Sequence, residues 1–106
     1  MLEQVPAISV GLARRFPDGN SPFQIMTRLL EECGELAQQV NHFEGSGVKR
    51  AKYGEPDRIK LAKEAKNVLT CAWQVVAYYG IEAELAASLE QSYQNLKREG
   101  FIEEHK

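Results

Sequence analysis

Residues Ser21 to Phe43, SPFQIMTRLLEECGELAQQVNHF, read as one long amphipathic helix whose start is written into the chain. Ser21 suits the N-cap, Pro22 suits the first helical position, and Gln24 completes an S-x-x-Q capping box. At about 100° per residue, Ile25, Met26, Leu29, Cys33, Leu36, Ala37, Val40 and Phe43 share one face, which predicts a core side. Glu31, Glu32 and Glu35 fall within an arc of about 100° elsewhere, with Glu32 closest to the apolar boundary. The three carboxylates therefore converge.

The flanking sequence continues in the same idiom. A short helix is expected from about Val5 to Phe16, with Pro6 tolerated in its first turn, ending before the turn formers Pro17-Asp18-Gly19-Asn20. Gly45-Ser46-Gly47 breaks the second helix, and the segment to Pro56 lacks apolar periodicity and reads as a loop. Asp57 is a cap for a third helix that should run to about Tyr79 and stop at Gly80, a natural left-handed C-terminal position. A fourth helix follows from about Glu82 to Glu99, before Gly100. No strand-like alternation, internal repeat or low-complexity tract competes. The expectation is an all-α, compact bundle of about four helices in a single domain, residues 1–106.

Composition narrows the function classes. With 13 Lys+Arg against 15 Asp+Glu the net charge is -2, so no global field draws the chain onto a nucleic-acid polymer or a membrane. No apolar run is long enough to span a bilayer, and MLEQVPAISV lacks the basic flank and apolar stretch of a signal peptide, so a cytoplasmic location is expected. Cys33 and Cys71 have no His or Cys at zinc-like spacing and read as free buried thiols.

The third helix repeats the acidic spacing of the second, as Glu64-x-x-Asn67 in LAKEAKNVLTCAW. Its expected core stripe is Leu61, Ala65, Val68, Leu69, Ala72, Val75, Val76 and Tyr79, and Glu64 falls at the edge of that stripe. A carboxylate there is partly desolvated and costs free energy unless protonated, paired or metal-bound. If the two helices pack together, their carboxylates can hold a hard divalent cation, which takes oxygen ligands and keeps several waters. The competing reading is a solvated, salt-bridged helix surface.

The wording E-E-C-G-E-L at Glu31 to Leu36, followed by Glu64-x-x-Asn67-Val68-Leu69, resembles the MazG-like, all-α nucleotide pyrophosphohydrolase family over about residues 22 to 99. That family carries an ExxE motif, a variable spacer and then ExxD, and 28 residues lie between Glu35 and Glu64 here. The resemblance implies Mg2+-dependent hydrolysis of a nucleoside triphosphate to the monophosphate and pyrophosphate, in the service of nucleotide-pool house-cleaning, with Mn2+ as an alternative metal. By position it makes Glu32, Glu35 and Glu64 metal ligands, with Asn67 in the fourth corner, and gives Glu31 the orientation of a water or another ligand. One of these carboxylates would serve as general base. Asn67 departs from the family's Asp: its carbonyl can coordinate a cation, but it carries no charge and cannot act as a base. A catalytically weakened, nucleotide-binding or regulatory homologue is therefore the alternative, and a helical interaction module is a third reading.

Lys49, Arg50 and Lys52 make the loop basic, and either contact phosphate oxygens or belong to a solvated connector. Asn95, Lys97 and Arg98 lie where family members place groups against the nucleotide, although Lys97 and Arg98 also suit a helix C-terminus by opposing its dipole. His42 and Phe43 could touch a base or sugar, and Trp73 or Tyr53 could stack on one, while packing is the plainer role for Phe43 and Trp73. A small bundle with Trp73, Tyr78 and Tyr79 around its third helix leaves apolar surface to cover, so a homo-oligomer is expected, with a homodimer as the minimum; the family resemblance extends this to a homotetramer.

Overall fold

A computed structural model describes residues 1–45 and 51–103, and within them the chain is all-helical. The order is α1 (Gln4–Arg15), α2 (Pro22–Glu44), α3 (Arg58–Tyr79) and α4 (Glu82–Arg98). The capping box forms as its spelling requires, with Gln24 N donating to Ser21 Oγ at 3.3 Å and Ser21 N donating to Gln24 Oε1 at 3.2 Å. Asp57 caps α3 by accepting from Ile59 N at 2.9 Å, and Gly80 ends it with φ of 64°, a conformation that costs glycine little. One local expectation fails: residues 51–53, expected to be loop, carry helical backbone.

Helix α3 is the hub, packed along α2 on one side and α1 on another, while α4 touches it lightly. Helices α2 and α3 run antiparallel, since Arg28 meets Gln74 early in α2 and Glu35 meets Glu64 further along. Arg28 also ties the α1–α2 link to this pair. Its Nη1 donates to Gly19 O at 3.0 Å, and its Nη2 donates to Asn20 Oδ1 at 3.3 Å and to Gln74 Oε1 at 2.7 Å.

The core differs from the helical-wheel expectation. Of the predicted α2 face, Ile25 is buried and Leu29, Leu36 and Phe43 are half-buried, but Met26, Cys33, Ala37 and Val40 are exposed. On α3, Leu69, Ala72 and Tyr79 are likewise exposed. The reason is geometric: one neighbouring helix covers only part of a wide apolar arc, and the α2–α3 contact line passes through positions 25, 32, 39 and 64, 71. Cys71 is a free buried thiol as expected, whereas free Cys33 faces outward.

Candidate metal centre

Residues buried along this contact line are unusual in chemistry. Among the described residues, the buried side chains beside Ile25 and Cys71 are Gln39, Glu64 and Thr70 on α2 and α3 and Ser9 on α1, and Glu64 is only 7% exposed. Carboxylates are almost never that buried without partners. Here Glu32 and Glu64 each keep one oxygen, Oε2, that is shut off from solvent and has no hydrogen-bond donor. Desolvating an acceptor without replacing its hydrogen bond is costly, so such an atom calls for a ligand.

Register explains why three glutamates meet. Glu32 and Glu35 are three residues apart on α2 and therefore neighbours on its surface, and the antiparallel packing brings Glu64 of α3 against them. One carboxylate oxygen from each lies within 4.8 Å of the others. Burial is graded across the group: Glu64 is buried, Glu32 half-buried and Glu35 exposed. Electrostatics records the crowding. The Glu35 carboxyl is pushed above its ordinary value first by its side-chain contact with Glu64, which becomes a hydrogen bond only when a proton is shared, then by the negative charges of Glu32 and Glu64.

Two cavities flank the group along the α2–α3 seam. One, of about 250 Å³, is lined by Leu12, Phe16, Arg28, Glu32, Asn67, Cys71 and Gln74 among others, so Asn67 opens onto the same space as Glu32. In its wall Arg28 is hydrogen-bonded to Asn20 and Gln74, while Glu32 keeps an oxygen without a donor. The other, of about 600 Å³, begins one helical turn beyond Glu35 and one turn before Glu64, and is lined by Gln38, Gln39, His42, Tyr53, Glu55, Asp57 and Lys60.

The remaining residues singled out in the sequence fall elsewhere. Glu31 is exposed and lines an outer cavity with Gly19, Phe23, Gln24 and Thr27, apart from the three-carboxylate group. Lys49 and Arg50 lie outside the described residues. Lys52 is exposed, with its Nζ 5.2 Å from the centre of the Tyr53 ring. Asn95, Lys97 and Arg98 sit near the end of α4, where Arg98 donates to Asn95 Oδ1 at 3.0 Å, and none of them lines either flanking cavity. Sequence reasoning missed Arg28, Gln39, Lys60 and Gln74. No sequence signal marks Gln39: its spacing, i+4 from Glu35 and i+7 from Glu32, only puts it on the same side of α2 as those carboxylates.

The donor set fits a hard divalent cation: three carboxylates brought together, an amide on the same cavity as one of them, and two buried oxygens without a hydrogen-bond donor. No helix among the described residues is long and apolar enough to cross a membrane. Comparisons of the chain with protein-family models, with curated proteins and with solved structures gave no match.

Proposed function

We propose that the chain is a Mg2+-dependent nucleoside triphosphate pyrophosphohydrolase of the MazG-like kind, acting on surplus or non-standard nucleotides. The observation that carries this reading is the convergence of Glu32, Glu35 and Glu64 within 4.8 Å, with two of their oxygens buried and unpartnered. When bound, Mg2+ (or Mn2+) would neutralise phosphate oxygens and acidify a water. Glu32 and Glu64, each with a buried oxygen that lacks a donor, would hold the cation, and Asn67, which lines the same cavity as Glu32, would offer a neutral carbonyl. Glu35, the exposed member of the group, would accept the proton of the attacking water in this reading. A new bond forms between water oxygen and the α-phosphorus, the α–β anhydride bond breaks, and pyrophosphate leaves with the electron pair.

Asn67 favours a second reading. With an amide in the fourth corner the site holds three negative charges rather than four, which weakens its grip on a divalent ion, and a nucleotide-binding protein with little turnover follows from that. The two readings separate on products. Canonical and modified nucleoside triphosphates, with and without Mg2+, are assayed for monophosphate and pyrophosphate together. Equimolar release that depends on Mg2+ and disappears in Glu64→Gln supports the enzyme. Binding without release, restored to turnover by Asn67→Asp, supports the weakened homologue. Neither products nor a Mg2+-nucleotide thermal shift would remove both.

Assembly belongs to the same reading. The radius of gyration is 17.3 Å, against roughly 13 Å for a compact domain of about 100 residues. Helix α4 buries no residue of its own, and Phe23, Leu30, Tyr78 and Tyr79 are exposed elsewhere. A homodimer or homotetramer would cover these faces.

A further inference from the structure

Helix α2 carries apolar side chains at Phe23, Met26, Leu30, Cys33, Ala37 and Val40, steps of three and four residues in strict alternation. Helix α3 repeats those steps at Ala62, Ala65, Leu69, Ala72, Val76 and Tyr79. Ala65 and Val76 are half-buried, and the other side chains of both stripes are exposed. Such spacing holds a narrow apolar stripe along one side of a helix, the arrangement that packing against a further helix requires. Among the described residues no third helix covers either stripe.

The two stripes form one face. Leu29 and Leu36 on α2 and Leu61, Val68 and Val75 on α3 border them and are half-buried, so each stripe begins where the α2–α3 contact ends. Met26 and Tyr79 line the same apolar cavity of about 190 Å³, together with Ile25 and Val75. Helix α1 lies on the opposite side of the pair, where its Leu12 and Phe16 share a cavity with Arg28, Asn67 and Gln74. No charged residue occupies a stripe position, and none of these positions lines either cavity flanking the carboxylates. This is the pattern of half a four-helix bundle.

Area and shape both bear on what closes it. A stable interface takes about 800 Å² from each partner. Phe23, Leu30 and Tyr79 are more than half exposed, and Met26, Val40 and Leu69 more than two-fifths, so with the smaller side chains the face offers an area of that order. The face also tapers. With the level set by the Arg28–Gln74 bond, Phe23 and Met26 stand beside Tyr79 and Val76 at one end, and Ala37 and Val40 stand beside Ala65 and Ala62 at the other. Two such faces laid bulk to bulk leave a gap at the narrow end, whereas two laid end for end set large residues against small ones. Leu30, Cys33, Leu69 and Ala72 then form a middle layer that meets its own copy.

We infer that the open face of α2 and α3 is an interface with a second copy of the chain, related by a two-fold axis that crosses the helices so that each α2 lies antiparallel along the other. The inference rests on the assembly reading above and adds the face and the direction.

Light scattering at micromolar concentration locates the face. The wild type should be a dimer or a multiple of one. Leu30→Lys should raise the dimer dissociation constant about 100-fold or more, because the change enters the interface twice, and should leave helicity unchanged, because Leu30 is exposed in the single chain. Leu89→Lys, on α4, should leave a dimer. Direction is read by thiol pairing in a Cys33→Ser background that also carries Met26→Cys and Ala37→Cys. Within one helix these positions are about 16 Å apart, too far to bond, but the reversed copy sets position 26 of one chain level with position 37 of the other. Exchange with glutathione disulfide, which takes up the two electrons and two protons of the paired thiols and leaves as two glutathione molecules, should give a covalent dimer on a non-reducing gel. Neither single cysteine substitution should do so. A monomeric wild type overturns the inference and the assembly reading together. A dimer that survives Leu30→Lys keeps the assembly and overturns the inference, as does failure of the 26–37 pair to bond between chains.

Discussion

The α2–α3 seam and helix α4 invert the usual distribution of polarity in opposite directions. At the seam, polar groups are inside: Gln39 and Glu64 are buried, and three oxygens from Glu32, Gln39 and Glu64 lack partners. On α4, apolar groups are outside: Leu89, Tyr93 and Leu96 are 62%, 41% and 43% exposed at helix spacing, and none of its residues is buried. Both patterns cost free energy in an isolated chain, one by desolvating charge and the other by wetting hydrocarbon. They would be relieved in different ways: the seam by positive charge or a hydrogen-bond donor, and α4 by another apolar surface.

The comparison breaks most sharply at Glu64. If the hydrolase reading holds, Glu64→Gln should reduce pyrophosphate release by about 100-fold or more, because a buried charge that would hold the cation is lost. The same change should raise the melting temperature of the metal-free protein by relieving repulsion within the group. A variant that loses activity and melts lower would mark Glu64 as structural.

On α4 the decisive change is Leu89→Lys. If a second copy covers this face, light scattering should show a shift toward monomer, and apparent stability should fall by about 2 kcal/mol for the buried leucine lost. No change in mass or melting would leave α4 a solvated helix. The seam side has a smaller lever in its cap: Ser21→Ala should cost about 1 kcal/mol in chemical denaturation, since the N-terminus of α2 then loses an acceptor for Gln24 N. Helix α4 has no side-chain cap to lose.

The smallest expected effect is a pH dependence. Glu35 is raised above its ordinary value of 4.5 in the folded chain, so the folded state binds more protons than the unfolded state between 4.5 and the raised value. Stability of the metal-free protein should therefore fall as pH rises through that window and level off above it. Saturating Mg2+ should flatten or reverse the slope, because a bound cation favours the ionised carboxylates. Denaturation midpoints across this range, with Mg2+ or with a chelator, test the sign; a slope unaffected by Mg2+ would separate Glu35 from the cation.

Legibility was uneven, for reasons that can be traced to particular residues. Caps and stops are local, so Ser21, Gln24, Asp57 and Gly80 placed the helix ends within a residue or two. The acidic pairs were equally plain, since residues three apart must neighbour each other on a helix. Met26, Val40, Leu69 and Tyr79 were expected inside and stand outside, because a helical wheel measures the width of an apolar face and not which part of it a neighbour covers. Gln39 was passed over because, as an amide on a covered face, it is indistinguishable in sequence from a tolerated interruption.

The chain's own order of residues determined four helices, their boundaries and two acidic stripes, since all of these depend on contacts within a turn or two of backbone. Only the tertiary structure decided that Glu64 meets Glu32 and Glu35, that Glu31 faces away, and that Gln39 ends beside an open cavity. Those outcomes depend on the rotation and direction in which α3 lies along α2, which is set by packing over the whole length of both helices.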